Sequence, residues 1–197
     1  MGKIILVRHG ETNMNRDNLY HGILDPALNG TGIKQAEKAY NIIKDISYDK
    51  IFSSPLKRAY ETATILNYKK LNIELSDKIK ELNFGIFEGL SYEEILNKYP
   101  YELKEATKNW KNYNFKTGES PLELQKRSVQ FINSLDKNLN YLIVAHWGVI
   151  CTILSYYFSH NLDAYWKFKI DNCGIIVIEF TKDNFPILSG FNIGGWN

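Results

Sequence analysis

The stretch Lys3-Ile-Ile-Leu-Val-Arg-His-Gly-Glu-Thr12 decides how the rest of the chain is interpreted. Its aliphatic run, Ile4 to Val7, is typical of a strand that is buried on both faces. Two polar residues, Arg8 and His9, follow directly on this run. Ligand sites in open α/β sheets lie at the carboxyl ends of strands. The stretch therefore predicts the first strand of such a sheet, with a functional site at its end.

Short apolar strands and helical periodicities alternate along the rest of the chain. Helices are predicted with Thr31 as N-cap, with Pro55 at the first position, after capping boxes at Ser91 and Ser120, and from Val149. Strands are predicted over residues 3–8, 49–53, 72–76, 142–145, 175–180 and 187–193. This alternation implies an α/β fold, with a mostly parallel sheet covered on both faces and the last two strands paired antiparallel at one edge. Residues 1–197 are expected to form a single domain.

Composition and charge exclude several classes of protein. The 24 Lys and Arg residues nearly balance the 22 Asp and Glu residues, which argues against a dedicated nucleic-acid binder. The two cysteines, Cys151 and Cys173, are too few for a disulfide scaffold and are expected to be buried. The apolar run at the start of the chain is too short for a secretory signal peptide.

The uncharged segment from Tyr141 to Phe158 reaches the lower length limit of a membrane span. Its first half is rich in branched aliphatic residues, and His146-Trp147-Gly148 then interrupts it. A buried strand followed by a buried helix produces the same apolar run. We therefore expect no membrane partner and a cytoplasmic location.

Polar residues follow two further predicted strands. Ser53-Ser-Pro-Leu-Lys-Arg58 follows the second strand, and His146 follows the fourth. Two histidines and two arginines at strand ends of one sheet are difficult to explain by packing. Burying an arginine without a partner costs several kcal/mol. A tetrahedral dianion would satisfy both guanidinium groups through charge-assisted hydrogen bonds, so this edge of the sheet is predicted to bind phosphate.

The motif Leu6-Val-Arg-His-Gly-Glu-Thr12 resembles the signature of the histidine phosphatase superfamily, also called the phosphoglycerate mutase-like family. The resemblance covers nearly the whole chain and implies a three-layer α/β/α sandwich with one antiparallel strand. Other segments resemble motifs of this family in the same order, namely Asn15, Ser53–Ala59 with Thr62-Ala63, Glu81–Gly89, Gly118-Glu-Ser120 and Ala145-His146.

The resemblance and the chemistry of the side chains imply the same catalytic roles. His9 is expected to be the nucleophile that forms a phosphohistidine, and the adjacent arginines favour its neutral form. Arg8, Arg58 and His146 are expected to hold the phosphoryl oxygens. Glu81 is expected to protonate the leaving alkoxide and then to deprotonate the attacking water. The arginines lower the pKa of Glu81 and a phosphate dianion raises it, so the net direction stays open.

Four other residues are candidates for substrate binding. Asn15 and the backbone near Gly22 are expected to add neutral hydrogen-bond donors. His21 is expected either to reach the phosphate pocket or to lie on the surface. Trp147 is expected either to pack against the following helix or to form a flat wall for the substrate. No cofactor is expected, and two arginines beside the histidines would repel a zinc ion.

Residues 97–118 are rich in Lys, Tyr, Asn and Trp and are interpreted as a helical excursion over the sheet. They are expected to act either as a lid or as a solvated helix pair without a functional role.

Three functions compete, namely a phosphatase, a cofactor-dependent phosphoglycerate mutase and a non-catalytic binding domain. The catalytic side chains argue against the binding domain. Mutases of the resembled family are longer and carry Arg and Tyr just after the acid, where this chain has Leu82, Asn83 and Phe84. They also carry Asn near the second His, which is followed here by Trp147. The chain is therefore predicted to be a metal-independent phosphomonoesterase acting on a small phosphate ester. Within the family it resembles α-ribazole-5′-phosphate phosphatases of cobalamin synthesis and also broad-specificity phosphatases. The family usually has a small residue at the position of Trp147, and this difference leaves the substrate open.

Overall fold

The computed structural model describes residues 2–195, which form one mixed sheet covered on both faces. Its strands lie in the order β3-β2-β4-β1-β5-β6. The first four strands along the chain run parallel to one another, and β5 pairs antiparallel with both β1 and β6. The predicted fold class is therefore confirmed. The strands are β1 (Lys3–Arg8), β2 (Lys50–Ser53), β3 (Ile73–Leu75), β4 (Tyr141–Ala145), β5 (Ile175–Phe180) and β6 (Pro186–Ile193).

Helices cover the sheet because alternate strand residues bury apolar side chains on opposite faces. In β1, Ile5 and Val7 pack on the face that is covered by α2 and α3. Ile4 and Leu6 pack on the other face, which is covered by α6 and α7. The helices in residues 2–195 are α1 (Asn13–Arg16), α2 (Gly30–Ile43), α3 (Lys57–Leu66), α4 (Tyr92–Lys98), α5 (Pro100–Lys108), α6 (Pro121–Asn133) and α7 (Trp147–Ser159).

Three predicted helix starts are wrong by two residues, and one of them is that of α7, which begins at Trp147 and not at Val149. Helix α2 is capped by Asn29 instead of Thr31, since the Asn29 side chain accepts the backbone N–H group of Gly32. Pro55 lies before α3 and not at its first position. The capping boxes predicted at Ser91 and Ser120 are both formed.

The long apolar segment is split between a strand and a helix, as predicted. Strand β4 ends at Ala145, and His146 is the N-cap of α7. No helix within residues 2–195 has the length and apolar character needed to cross a membrane. Both cysteines, Cys151 and Cys173, are buried free thiols.

The strand order places the three polar strand ends side by side. Arg8 of β1 pairs in register with Ala145 of β4, and Ser53 of β2 pairs with Val144 of β4. Because these three strands are parallel, their carboxyl ends lie at the same edge of the sheet. The residues that follow them therefore meet in one place.

Candidate active site

His9 lies at the centre of this edge, close to His146. The two rings have centroids 5.1 Å apart, and the exposed fraction of His9 is 3%. The Nδ1 atom of His9 is 2.7 Å from the Gly10 carbonyl oxygen. A carbonyl oxygen only accepts hydrogen bonds, so Nδ1 carries the proton when the ring is neutral. The lone pair is then on Nε2, the nitrogen that can attack an electrophile.

The surroundings of His9 keep the ring neutral. Burial lowers the pKa of His9 well below its usual range, and the charges of Arg58 and Arg8 lower it further. The neutral form is therefore present at pH 7, where an exposed histidine is already mostly deprotonated. A neutral imidazole with a free Nε2 can act as a nucleophile.

Two guanidinium groups face this region without a carboxylate partner. Arg58 is fully buried and donates from Nη1 to the Leu24 carbonyl and from Nη2 to the Gly22 carbonyl, both at 2.8 Å. Arg8 donates from Nη1 to the Ile170 carbonyl at 2.7 Å. Neither arginine forms an ion pair among residues 2–195, and the Nε atom of each is buried without a partner.

These arginines make the site attractive to an anion. Burial lowers the pKa of Arg58 to about 10, so the side chain still carries its charge at pH 7. Burial also lowers the pKa of Arg8. A bound dianion would supply the negative charge that these groups lack.

A carboxylate that the sequence analysis did not single out fixes the loop beneath Arg58. Glu88 accepts hydrogen bonds from the backbone N–H groups of Gly22 at 2.9 Å, Ile23 at 3.0 Å and Leu24 at 3.3 Å. The same loop offers its carbonyl groups to Arg58. Glu88 therefore positions the loop, and the loop positions the arginine.

The backbone of Gly22 has a different role from the one expected. Its N–H group is bound to Glu88 and does not face the pocket, whereas its carbonyl group holds Arg58. A Cβ atom at this position would lie 1.6 Å from the Leu82 carbonyl oxygen, so only glycine fits. Gly22 thus supports the anion site through Arg58, and the expectation that its backbone donates to the ligand is corrected.

His146 is fully buried beside His9. Its Nε2 atom is 2.8 Å from the Ser54 hydroxyl, and its Nδ1 atom is buried without a partner in the described part of the chain. Burial lowers the pKa of His146 well below its usual range, with Arg58 adding to the effect. When the hydroxyl donates to Nε2, the proton is on Nδ1 and can be given in a hydrogen bond to an anion.

Glu81 reaches the site from the segment that follows β3. Its carboxylate accepts the N–H groups of Leu82 at 2.8 Å and Gly148 at 3.1 Å. Burial raises the pKa of Glu81 and outweighs both the two hydrogen bonds and the charge of Arg58. In the protein without bound phosphate, this carboxyl group therefore holds its proton to a higher pH than an exposed glutamate. A Cβ atom on residue 148 would lie 2.5 Å from the Oε1 atom of Glu81. The close approach of the Glu81 carboxylate to this backbone therefore requires glycine.

Arg127 holds the backbone on which Glu81 is mounted. Its Nε and Nη2 atoms donate to the two carboxylate oxygens of Glu119 at 2.6 and 2.7 Å. Its Nη1 atom donates to the Lys80 carbonyl at 2.7 Å, and Nη2 also donates to the Glu81 carbonyl at 3.0 Å. Glu119 belongs to the Gly118-Glu-Ser120 motif, but Arg127 could not be found from the sequence, because no local pattern indicates what its guanidinium group contacts.

We expect Arg127→Lys to impair the proton transfer by Glu81, because a lysine cannot make these divergent hydrogen bonds. The kcat for an alkyl phosphate should fall about tenfold, and that for p-nitrophenyl phosphate less, since nitrophenolate leaves without a proton. Steady-state kinetics on both substrates measure the difference, with the exposed neighbour Lys126→Ala as the control. Equal losses on the two substrates would contradict this role for Arg127.

Asn15 and His21 both line the polar pocket above His9, which has a volume of about 540 Å³. The Asn15 Oδ1 atom accepts the Thr12 N–H group at 3.1 Å. The ring of His21 lies 6.4 Å from that of His9 and donates from Nδ1 to the Leu19 carbonyl. Burial lowers the pKa of His21 to about 4, so it is neutral at pH 7. Of the two alternatives for His21, the structure shows the one in which it faces the pocket.

Trp147 both packs against neighbouring aromatic rings and lines the polar pocket. It is the first residue of α7, and its ring contacts those of Tyr165 and Trp166 at centroid distances of 5.2 and 5.5 Å. It also lines the polar pocket together with Glu81. The side chain therefore packs against the segment after α7 and still presents a wall to the pocket.

Six of the predicted site residues line this one pocket, namely Arg8, His9, Asn15, His21, Glu81 and Trp147. Arg58 and His146 are buried behind its lining, and Gly22 acts through Arg58. Within residues 2–195, no three His, Cys, Asp or Glu side chains are grouped as ligands for a metal ion. The independence from metal ions remains a prediction.

Comparison with known proteins agrees with this arrangement. The chain is 32% identical to phosphoserine phosphatase 1 of Hydrogenobacter thermophilus, over 95% of this chain and 91% of that protein. It is 36% identical to the uncharacterized phosphatase PhoE of Bacillus subtilis, over 97% and 99% of the two chains. The crystal structure of the α-ribazole phosphatase from Shigella flexneri superimposes with a TM-score of 0.91 at 26% identity, covering 99% of this chain and 98% of that one.

The family model that matches the chain covers nearly all of the described residues. It spans residues 4–193, from β1 to the end of β6, and describes branch 1 of the histidine phosphatase superfamily. The predicted enzyme class, a phosphatase, is confirmed at this level. The chain therefore belongs to the histidine phosphatase superfamily.

Proposed function

We propose that the protein is a metal-independent phosphomonoesterase that acts through a phosphohistidine on His9. One observation carries this proposal, namely a neutral imidazole with a free Nε2 beside two buried guanidinium groups without carboxylate partners. The cations favour a phosphoryl group at this position, and burial together with the cations keeps the nucleophile deprotonated. Such preorganised charge is the main means by which proteins accelerate phosphoryl transfer.

In the first step, the lone pair on Nε2 of His9 attacks phosphorus and the P–O bond to the leaving group breaks. The departing oxygen takes the proton of Glu81, whose raised pKa keeps that proton available. In the second step, the Glu81 carboxylate takes a proton from water as the water oxygen attacks phosphorus. The N–P bond then breaks, and phosphate leaves.

For the substrate, we propose α-ribazole-5′-phosphate. The likeness to the Shigella flexneri α-ribazole phosphatase supports this choice, as does the position of Trp147 at the mouth of the pocket. A benzimidazole ring can stack on such a side chain, with a gain of about 1–3 kcal/mol. The main alternatives are a broad-specificity phosphatase, to which the likeness to a phosphoserine phosphatase points, and a phosphoglycerate mutase.

We expect Trp147→Ala to raise the KM for α-ribazole phosphate about fivefold and to affect a sugar phosphate less. Initial rates on both substrates measure this, and the melting temperature confirms that the variant is folded. Tyr101→Ala, which removes an exposed aromatic ring from α5, is the matched control. An equal change for both substrates would assign Trp147 to packing alone.

A substrate panel tests the proposal as a whole. Phosphate release is measured from α-ribazole phosphate, phosphoserine, 3-phosphoglycerate and sugar phosphates, and 3-phosphoglycerate is also tested for conversion to 2-phosphoglycerate. The highest kcat/KM is expected for α-ribazole phosphate. Isomerisation of phosphoglycerate without phosphate release would indicate a mutase, and no turnover of any compound would refute the phosphatase.

We expect full activity in the presence of EDTA. The two guanidinium groups already supply the positive charge that a divalent ion would bring to the phosphoryl oxygens. Rates of the same preparation with EDTA, and then with added Mg²⁺ or Zn²⁺, check this. A loss in EDTA that either metal restores would show that the arginines are not sufficient.

A further inference from the structure

A second cavity, with a volume of about 450 Å³, lies next to the polar pocket. Tyr20, Phe84 and Trp147 line both, so the two spaces share a wall. Leu82 also lines the second cavity and directly follows Glu81, the proposed acid. An ester whose phosphate is at His9 would extend past this shared wall into the second cavity.

The walls of this cavity are apolar and aromatic, in contrast to those of the polar pocket. Within residues 2–195, no side chain that lines it carries a charge. The Thr107 hydroxyl donates to the Leu103 carbonyl at 2.8 Å, so its hydrogen is already used. Tyr165 and Trp166 also line the cavity and contact each other edge to face, with centroids 4.8 Å apart.

The segment over residues 97–118 supplies a large part of this wall. Leu103 and Ala106 of α5 line the cavity, and so do Trp110 and Phe115 beyond it. Trp110 packs on Tyr165 at a centroid distance of 5.5 Å, which joins this segment to the residues that follow α7. Of the two interpretations of the segment, the structure therefore favours a covering element over a solvated helix pair.

We propose that this second cavity binds the leaving group and selects phosphomonoesters whose leaving group is uncharged and apolar, above all aromatic. The inference rests on the proposed function and adds the substrate class. Aromatic walls favour an aromatic guest through edge-to-face and offset contacts. An apolar cavity of about 150 Å³ holds one benzene ring, so the space here suffices for a group with two fused rings.

The same walls disfavour a charged leaving group. The serine part of phosphoserine carries a carboxylate and an ammonium group, which would lose their hydration in the cavity and find no partner of opposite charge. The cavity therefore predicts discrimination against phosphoserine, although a relative of this chain is a phosphoserine phosphatase.

The test uses three alkyl phosphates, so that the leaving groups differ in shape and charge more than in basicity. These are 2-phenylethyl phosphate, phosphoserine and glycerol phosphate. For the wild-type protein we expect kcat/KM to be at least about a hundredfold higher for phenylethyl phosphate than for phosphoserine. Comparable values for the two would overturn the inference but leave the phosphatase intact, whereas no hydrolysis of any ester would refute the phosphatase itself.

Two cavity variants and a control locate the effect. Ala106→Phe fills the cavity and should lower kcat/KM for phenylethyl phosphate at least about tenfold, with a change of no more than about twofold for glycerol phosphate. Lys104→Phe, which adds the same side chain at an exposed position of α5, should change neither value. Thr107→Lys adds a charge to the wall, and it should lower kcat/KM for phenylethyl phosphate and raise that for phosphoserine.

A simple packing gap would give a different pattern. Ala106→Phe would then raise the melting temperature without changing the ratio of kcat/KM between the esters, and this result would overturn the inference. If Ala106→Phe does not fold, Thr107→Lys provides the test. An unchanged ratio of kcat/KM between phenylethyl phosphate and phosphoserine in that variant also refutes the subsite.

Discussion

His9→Ala is expected to lower kcat by at least about ten-thousandfold, because no other side chain in the pocket offers a neutral nitrogen in the same position. Loss of the nucleophile removes the covalent route entirely. The measurement is phosphate release under saturating substrate, with His160→Ala, at the left-handed end of α7, as the matched control.

The intermediate itself provides an independent readout. Wild-type protein quenched during turnover should carry a phosphoryl group on His9 that is stable to base and labile to acid, as expected for an N–P bond. His9→Ala should carry none. If the variant turned over at the normal rate and no phosphoenzyme could be trapped, His9 would not be the nucleophile.

Glu81→Gln should lower kcat/KM for an alkyl phosphate by about 10²- to 10⁴-fold, the usual contribution of a general acid. The loss on p-nitrophenyl phosphate should be much smaller, since nitrophenolate is stable without a proton. Rates on both esters measure the difference, with the exposed Glu93→Gln as the control. Comparable losses on both esters, with phosphoryl transfer rate-limiting, would remove Glu81 from this role.

The pH dependence of the rate should report the protonation of Glu81 and of His9. Because burial raises the pKa of Glu81, the acid is protonated below that pKa, and the rate on alkyl phosphates should fall as the pH rises through it. Because burial lowers the pKa of His9, the nucleophile is neutral above that pKa, and the rate should fall only in acid. In Glu81→Gln the alkaline decrease should disappear, and its persistence would assign it to another group.

The sequence predicted those parts of the site that follow directly on strands. Arg8, His9 and His146 are polar residues after apolar runs, and parallel strands bring such residues to one edge. Local pattern was also sufficient for the strands themselves, because alternate residues of β1 are buried on opposite faces.

The sequence could not predict contacts that join distant segments. Glu88 binds the N–H groups of a loop 66 positions earlier in the chain, and Arg127 holds a segment 46 positions before it. Both depend on how loops pack, which hydrophobic periodicity does not encode. The start of α2 differs from the prediction for a related reason, because the Asn29 side chain in the preceding loop decides where this helix begins.

The buried guanidinium of Arg58 also has a consequence for the end of the catalytic cycle. It is held by carbonyl groups and forms no ion pair with a carboxylate among residues 2–195, so we expect a bound anion to stabilise the site. Under the proposed function, inorganic phosphate is the anion left after hydrolysis, and we expect the same cradle to hold it. Tight product retention follows, so the escape of phosphate is a candidate for the slow step of turnover.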